Sequence, residues 1–288
     1  MKQLIKKLSL VIALTFAISA LVQALPLNKA EASTVYSYYA KVTSSLYNST
    51  KSNKKKIATV PVNAKLSTTT SKSSKMYKVK YNGKSGYVYA ANLSSKRVTL
   101  TFYVKTTSSF YNNTSSKKKK LDTIPVNMKL TTTSVKTDKM YKVSYNGKSG
   151  YVYAANLSTK KLSSVPFGQT VRVGNFTVKI DKPKNEYGES YLEDGKSKYI
   201  AVPITIKNFG SRDYAGYISE LYINNKYYDG YDIQYYSTKY DELDTLVELS
   251  KGKTLSGIQT FKVSPGKKLE IVYSDFWYDN TITFTGKN

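Results

Sequence analysis

From Met76 to Tyr81 the side chains alternate, with Tyr77, Val79 and Tyr81 on one side and Lys78 and Lys80 on the other. A period of two marks a half-buried strand. Asn82-Gly83 follows, and a type I′ turn needs positive φ at both central residues, so this pair predicts a tight hairpin. Gly86-Tyr87-Val88-Tyr89 is its return strand, with Val88 on the face opposite Tyr87 and Tyr89. Upstream, Ile57 to Leu66 reads as an extended run broken by the turn signal Pro61-Val62-Asn63. Downstream, Ala90-Ala91-Asn92 predicts one short helical turn, and Leu93 a plug for the core.

The pattern then repeats. Tyr39–Ser94 aligns with Tyr103–Ser158 without a gap, at a period of 64 residues, and forty of the 56 positions are identical. Duplication at this level means two copies of one folding unit.

After residue 161 the alternation continues in a new arrangement. Val171, Val173, Phe176, Val178 and Ile180 predict a strand pair around Gly174-Asn175. Ile200, Val202, Ile204 and Ile206 share one face, and further short strands follow over Gly216–Asn224, Lys226–Tyr231, Gln259–Val263, Leu269–Tyr273 and Thr281–Phe284. Seven or eight strands at this spacing predict a β-sandwich. The expected fold is all-β: two small barrels over 33–97 and 98–161, a linker over 162–170 and a sandwich over 171–288.

The endings of the two copies, Met76-Tyr77-Lys78-Val79 through Leu93 and Met140-Tyr141-Lys142-Val143 through Leu157, resemble the bacterial SH3-like domain. That family closes with an aromatic-Lys-Val strand, an Asn-Gly hairpin, a Gly-aromatic-Val strand and a small-residue turn ended by Leu. The resemblance implies SH3-like barrels and ligands such as peptidoglycan peptides or lipoteichoic acid. The last region, through Lys198–Asn208 and Gly252 to Phe261, resembles an uncharacterised family of secreted immunoglobulin-like sandwich domains in Gram-positive bacteria. No chemistry comes with that second resemblance.

Composition sharpens the picture. Lys2, Lys6 and Lys7 precede a mostly apolar run from Leu8 to Leu25, and Ala30-Glu31-Ala32 offers a small-x-small cleavage site. This is the layout of a secretory signal peptide over 1–32, so the expected location is secreted and wall-associated, with no transmembrane segment in the mature chain. The chain has no cysteine and no histidine. Lipid attachment at the cleavage site is excluded, as are histidine-based zinc sites and Cys-His or Ser-His-Asp catalysis. Nothing implies a cofactor. The net charge of +26 is uneven: residues 33–97 carry thirteen Lys/Arg and no acid, 98–161 carry twelve Lys and two Asp, and 162–288 carry sixteen of each sign. Such asymmetry speaks of partners.

Candidate ligand residues follow from that charge. Lys54, Lys55 and Lys56 in the first copy and Lys117, Lys118, Lys119 and Lys120 in the second occupy equivalent loops. They read as phosphate-binding point charges or as solvated loops. Tyr47, Tyr87 and Tyr89, matched by Tyr111, Tyr151 and Tyr153, read as groove residues that stack on sugars or as structural aromatics, whereas Tyr77 and Tyr81 read as core. Single-stranded nucleic acid would suit the same surface, but secretion makes it an unphysiological partner; sulfated glycans are a comparable option. In the last region Asp229, Asp232, Asp241, Glu242, Asp244 and Glu248 cluster in sequence among tyrosines. An ordinary solvated loop is the expected reading, over calcium binding or a glycosidase carboxylate pair; a protein-contact surface is the alternative for the aromatic-rich stretch.

Three functions stay open at this level. The leading one is a non-catalytic cell-wall-binding protein, its tandem modules holding teichoic acid or peptidoglycan with avidity. The others are a secreted effector or inhibitor whose sandwich binds a protein, and an undescribed wall hydrolase.

Overall fold

The computed structural model describes residues 34–69, 75–186, 198–230, 234–235, 242–244, 247–263, 268–277 and 280–287. The expected signal peptide lies outside the described residues, as do Asp232 and Asp241. The described chain is all-β apart from two short 3-10 turns.

The first module contains β1 (Tyr36–Ala40), β2 (Ser44–Tyr47), β3 (Lys56–Val60), β4 (Lys65–Thr68), β5 (Met76–Tyr81), β6 (Lys84–Tyr89) and β7 (Leu93–Ser94). They form one sheet in the order β3-β2-β6-β5-β4-β1-β7. Tyr38, Leu46, Val60, Leu66, Val79, Val88 and Leu93, one from each strand, share a single core. One sheet encloses a core only by curling on itself, so the module is a small barrel. Asn82 and Gly83 have φ of 46° and 75°, as the hairpin requires, and Ala90–Asn92 forms the short helical turn.

The second module repeats this with β8 (Leu100–Val104), β9 (Ser108–Tyr111), β10 (Lys120–Ile124), β11 (Lys129–Thr132), β12 (Met140–Tyr145), β13 (Lys148–Tyr153) and β14 (Leu157–Ser158). Phe110 and Val104 fill the places of Leu46 and Ala40. One seam differs. A Ser67–Lys80 pairing joins β4 to β5, whereas β11 and β12 belong to separate sheets, and Thr132 Oγ1 donates to the Lys142 carbonyl at 2.6 Å instead.

The sandwich is built from β15 (Ser164–Pro166), β16 (Thr170–Val173), β17 (Phe176–Ile180), β18 (Lys184–Glu186), β19 (Lys198–Asn208), β20 (Asp213–Tyr214), β21 (Tyr217–Ile223), β22 (Lys226–Asp229), β23 (Gln234–Tyr235), β24 (Glu248–Leu249), β25 (Thr254–Val263), β26 (Lys268–Ser274) and β27 (Thr281–Lys287). One sheet runs β15-β27-β26-β21-β22, and the other β16-β17-β19-β25-β23, with β18 also on β19. Val178, Ile204 and Phe261 from one sheet meet Leu221, Ile271 and Phe284 from the other in the largest core of the chain. Side chains of this size contribute about 1.5–3 kcal/mol each when fully buried.

The expected linker over 162–170 is corrected by the structure. β15 pairs in parallel with β27, Val165 is buried, and Leu162 and Phe167 pack against the sandwich core. The turn-type residues of this stretch masked a short edge strand. The second module also docks directly. Val126 N–H donates to Thr170 O at 2.9 Å, Arg172 N–H donates to Val126 O at 2.7 Å, and the Val126 side chain joins the sandwich core.

A shared clasp fixes the exit from each module. Asn63 Nδ2 donates to Val98 O and Asn63 Oδ1 accepts Val98 N–H, both at 2.8 Å. Asn127 makes the same pair with Leu162, both at 2.8 Å. Both asparagines are buried and left-handed, with φ of 64° and 60°, a conformation asparagine tolerates better than most residues.

Candidate functional site

The β2–β3 loop is closed by Asn48. Its N–H donates to Lys55 O at 3.0 Å, and its Oδ1 accepts Lys55 N–H at 2.8 Å. Lys54 N–H donates to Lys51 O at 3.2 Å. This turn folds Lys54 back over the barrel, with Nζ 5.4 Å from the Tyr47 ring centre and 5.6 Å from that of Tyr89. The two rings meet edge to face, 6.0 Å apart at 80°. Tyr47 lies opposite Tyr87 across β2 and β6, and because Val88 is buried, its neighbours Tyr87 and Tyr89 point outward.

The second module builds the same corner. Asn112 Oδ1 accepts Lys119 N–H at 2.8 Å, and Lys118 Nζ lies 5.3 Å from Tyr111 and 5.6 Å from Tyr153. Those rings are 6.0 Å apart at 82°, and Tyr151 pairs with Tyr111. The loop lysines therefore divide into two kinds. Lys54 and Lys118 are half-buried on the rings, while Lys55, Lys56, Lys117, Lys119 and Lys120 are exposed.

Glycine makes the corner possible. A Cβ on Gly86 would stand 2.6 Å from Tyr47 O, and one on Gly150 would stand 2.5 Å from both Tyr111 O and Phe110 Cζ. The close approach of β2 to β6, and of β9 to β13, seats the tyrosines side by side. A groove of about 570 Å³ beside the first corner is lined by Thr50, Lys54, Lys75, Met76, Lys78, Tyr87 and Tyr89. Thr50, Lys75 and Lys78 were absent from the expected site. The signal for Lys78 was present in the sequence, since the Asn82-Gly83 hairpin register sets it opposite Tyr87. Tyr77 is core, packed on Tyr38 with ring centres 5.4 Å apart, and burial raises its phenol pKa.

Among the described residues, three of the acids singled out in the sandwich enter separate contacts. Glu248 pairs with Arg212, Glu242 Oε1 accepts Thr260 Oγ1 at 2.6 Å, and Asp229 meets Tyr227 OH at 3.5 Å. Among the described residues no group of three or more acids is placed to hold a metal ion.

Residues 165–282 match the domain of unknown function DUF4352. The DUF4352 region is thus the sandwich, entered at Val165 on β15 rather than at β16. No curated protein matches the chain. Among solved structures, ycdA, a lipoprotein candidate from Bacillus subtilis, is 18% identical, with 43% of this chain and 39% of that one covered and a TM-score of 0.34. NlpC2 from Trichomonas vaginalis is 15% identical over 44% and 49%, with a TM-score of 0.25. NlpC1 from the same organism is 14% identical over 46% and 48%, with a TM-score of 0.24. The chain spans less than half the length of each.

Proposed function

We infer that the chain is a secreted, non-catalytic protein that binds an anionic cell-wall polymer, teichoic acid or peptidoglycan, through its two basic modules. The observation that carries this reading is the tyrosine–lysine corner, built twice at matching distances and flanked each time by exposed lysines. Solvation alone does not call for a lysine lodged on two ring faces. The ammonium over each ring gains about 0.5–1 kcal/mol at an exposed site, which orders the loop before a ligand arrives. The neighbouring lysines then meet phosphate or carboxylate groups, and the outward tyrosines cover sugar faces. The modules' resemblance to bacterial SH3-like domains favours the same ligand class, and the leader-like segment over 1–32 supports secretion. The DUF4352 sandwich, neutral by count, stands outside the electrostatic role.

Sedimentation of the full chain with purified Gram-positive walls tests this. Binding is expected to fall steeply as salt rises, by analogy with counterion release from nucleic acids, and to drop when teichoic acid is extracted. Salt-insensitive binding, or none, would refute it.

A further inference from the structure

At one end of the sandwich, turns distant in sequence meet around a group of aromatic rings. The β16–β17 turn supplies Asn175, the β19–β20 loop supplies Phe209, β20 supplies Asp213 and Tyr214, and the segment after β26 supplies Asp275, Phe276 and Trp277. Phe209 N–H donates to Asn175 O at 2.9 Å. Asp213 stands at the centre, where Oδ2 accepts Asn175 Nδ2 and Oδ1 accepts Trp277 Nε1, both at 3.4 Å. Tyr214 and Phe276 stack with centres 4.8 Å apart, and the Phe276 and Trp277 rings meet edge to face at 5.1 Å and 83°. Buried Asp275 accepts Asn280 N–H at 3.1 Å and Nδ2 at 2.7 Å.

Trp277 is the only tryptophan of the chain, and it is 63% exposed. An indole held by its N–H and still largely exposed is the surface a ligand would cover. The chemistry around it selects the ligand. Two ring planes at right angles accept the C–H face of a saturated ring. Asp213 and Asn175 beside them offer acceptors and a donor for hydroxyls; Asp213 Oδ1 also accepts Tyr214 N–H at 2.9 Å, and the carboxylate keeps spare lone pairs beyond these three contacts. Asp213 repels an anionic polymer, and an aliphatic tail laid on the rings would strip its water without replacing it. Arg172 and Lys207 lie over Phe209, at 5.5 and 5.1 Å, rather than over the indole.

We propose that this corner is a carbohydrate subsite that takes a neutral pyranose of an oligosaccharide chain. It is independent of the tyrosine–lysine corners, since it uses a carboxylate where they use lysine.

The lone tryptophan reports on its own site. The full chain is titrated with chitohexaose and cellohexaose while indole emission is followed. A saturable blue shift with at least one hexamer, little changed by salt, is the expected result. Trp277→Ala, read by calorimetry, should bind about tenfold more weakly, and Trp277→Phe should retain most of the affinity. No emission change with either sugar at millimolar concentration overturns the proposal, whatever the wall-binding assay shows. A shift produced by phosphatidylcholine vesicles and not by sugar also overturns it, and assigns the rings to a lipid surface.

Discussion

Replacing Asn127 tests whether the second module and the sandwich are one mechanical body. Its side chain makes two bonds of 2.8 Å to the backbone of Leu162. Asn127→Ala strands an N–H and a carbonyl at a partly buried site, costing about 1–3 kcal/mol. It also leaves alanine at φ 60°, which adds about 1–2 kcal/mol. The expected destabilisation is about 2–5 kcal/mol. Asn127→Gly removes the bonds but not the φ tolerance, so it should cost only the first part. Asn127→Asp keeps the acceptor for Leu162 N–H but turns a second acceptor toward Leu162 O, so it should fall near alanine. Thermal unfolding followed by Trp277 emission reads the sandwich, and trypsin cleavage after Lys160 or Lys161 reads the clasp locally. Cleavage there should accelerate in all three variants. If alanine and glycine match the parent in both measurements, the clasp contributes nothing and the reasoning fails.

Three further expectations follow from other contacts. Gly150→Ala drives a Cβ to 2.5 Å from Tyr111 O and Phe110 Cζ, so chemical denaturation should show a loss of about 1–3 kcal/mol; unchanged stability would mean that the barrel yields there at no cost. Tyr89→Ala with Tyr153→Ala removes one wall of each corner and should weaken wall sedimentation about tenfold, whereas undiminished sedimentation would remove the corners from the binding face. Burial raises the pKa of Tyr273 despite the hydrogen bond it accepts from Gly216 N–H, and burial followed by Asp122 raises that of Tyr145. The unfolded chain therefore loses these protons first, near pH 10; the stability they contribute is full below pH 10 and lost as pH climbs above it. Tyr273→Phe should flatten that alkaline decline by up to about 1.4 kcal/mol per pH unit, and an unaltered slope in pH-dependent unfolding would show that the phenol does not stay protonated in the fold.

Much of this architecture was legible because strands with one wet face announce themselves. Met76 to Tyr89 alternates cleanly around an Asn-Gly turn, and its register alone places Lys78 beside Tyr87. The tyrosines split as their phase with Val79 and Val88 required. The lysine loop was legible in charge but not in shape, because adjacent lysines are chemically identical until Asn48 or Asn112 closes the turn and selects one for the rings. Val126 was illegible for another reason. It sits in a turn signal shared with Val62, and only the neighbouring β16 decides that the second copy is buried. The rings around Trp277 come from segments tens of residues apart, so no local pattern could assemble them.

The asparagine clasp has a bearing on how such a chain grows. Asn63 and Asn127 hold their targets only through the N–H and C=O of Val98 and Leu162, groups that nearly every amino acid supplies. The joint therefore does not read the identity of what comes next. One clasp hands the chain to another barrel and the other to a sandwich of unrelated sequence. A coupling indifferent to its cargo lets the 64-residue unit be copied or moved without redesign of the junction, and a third copy spliced in after residue 161 would find its exit already gripped.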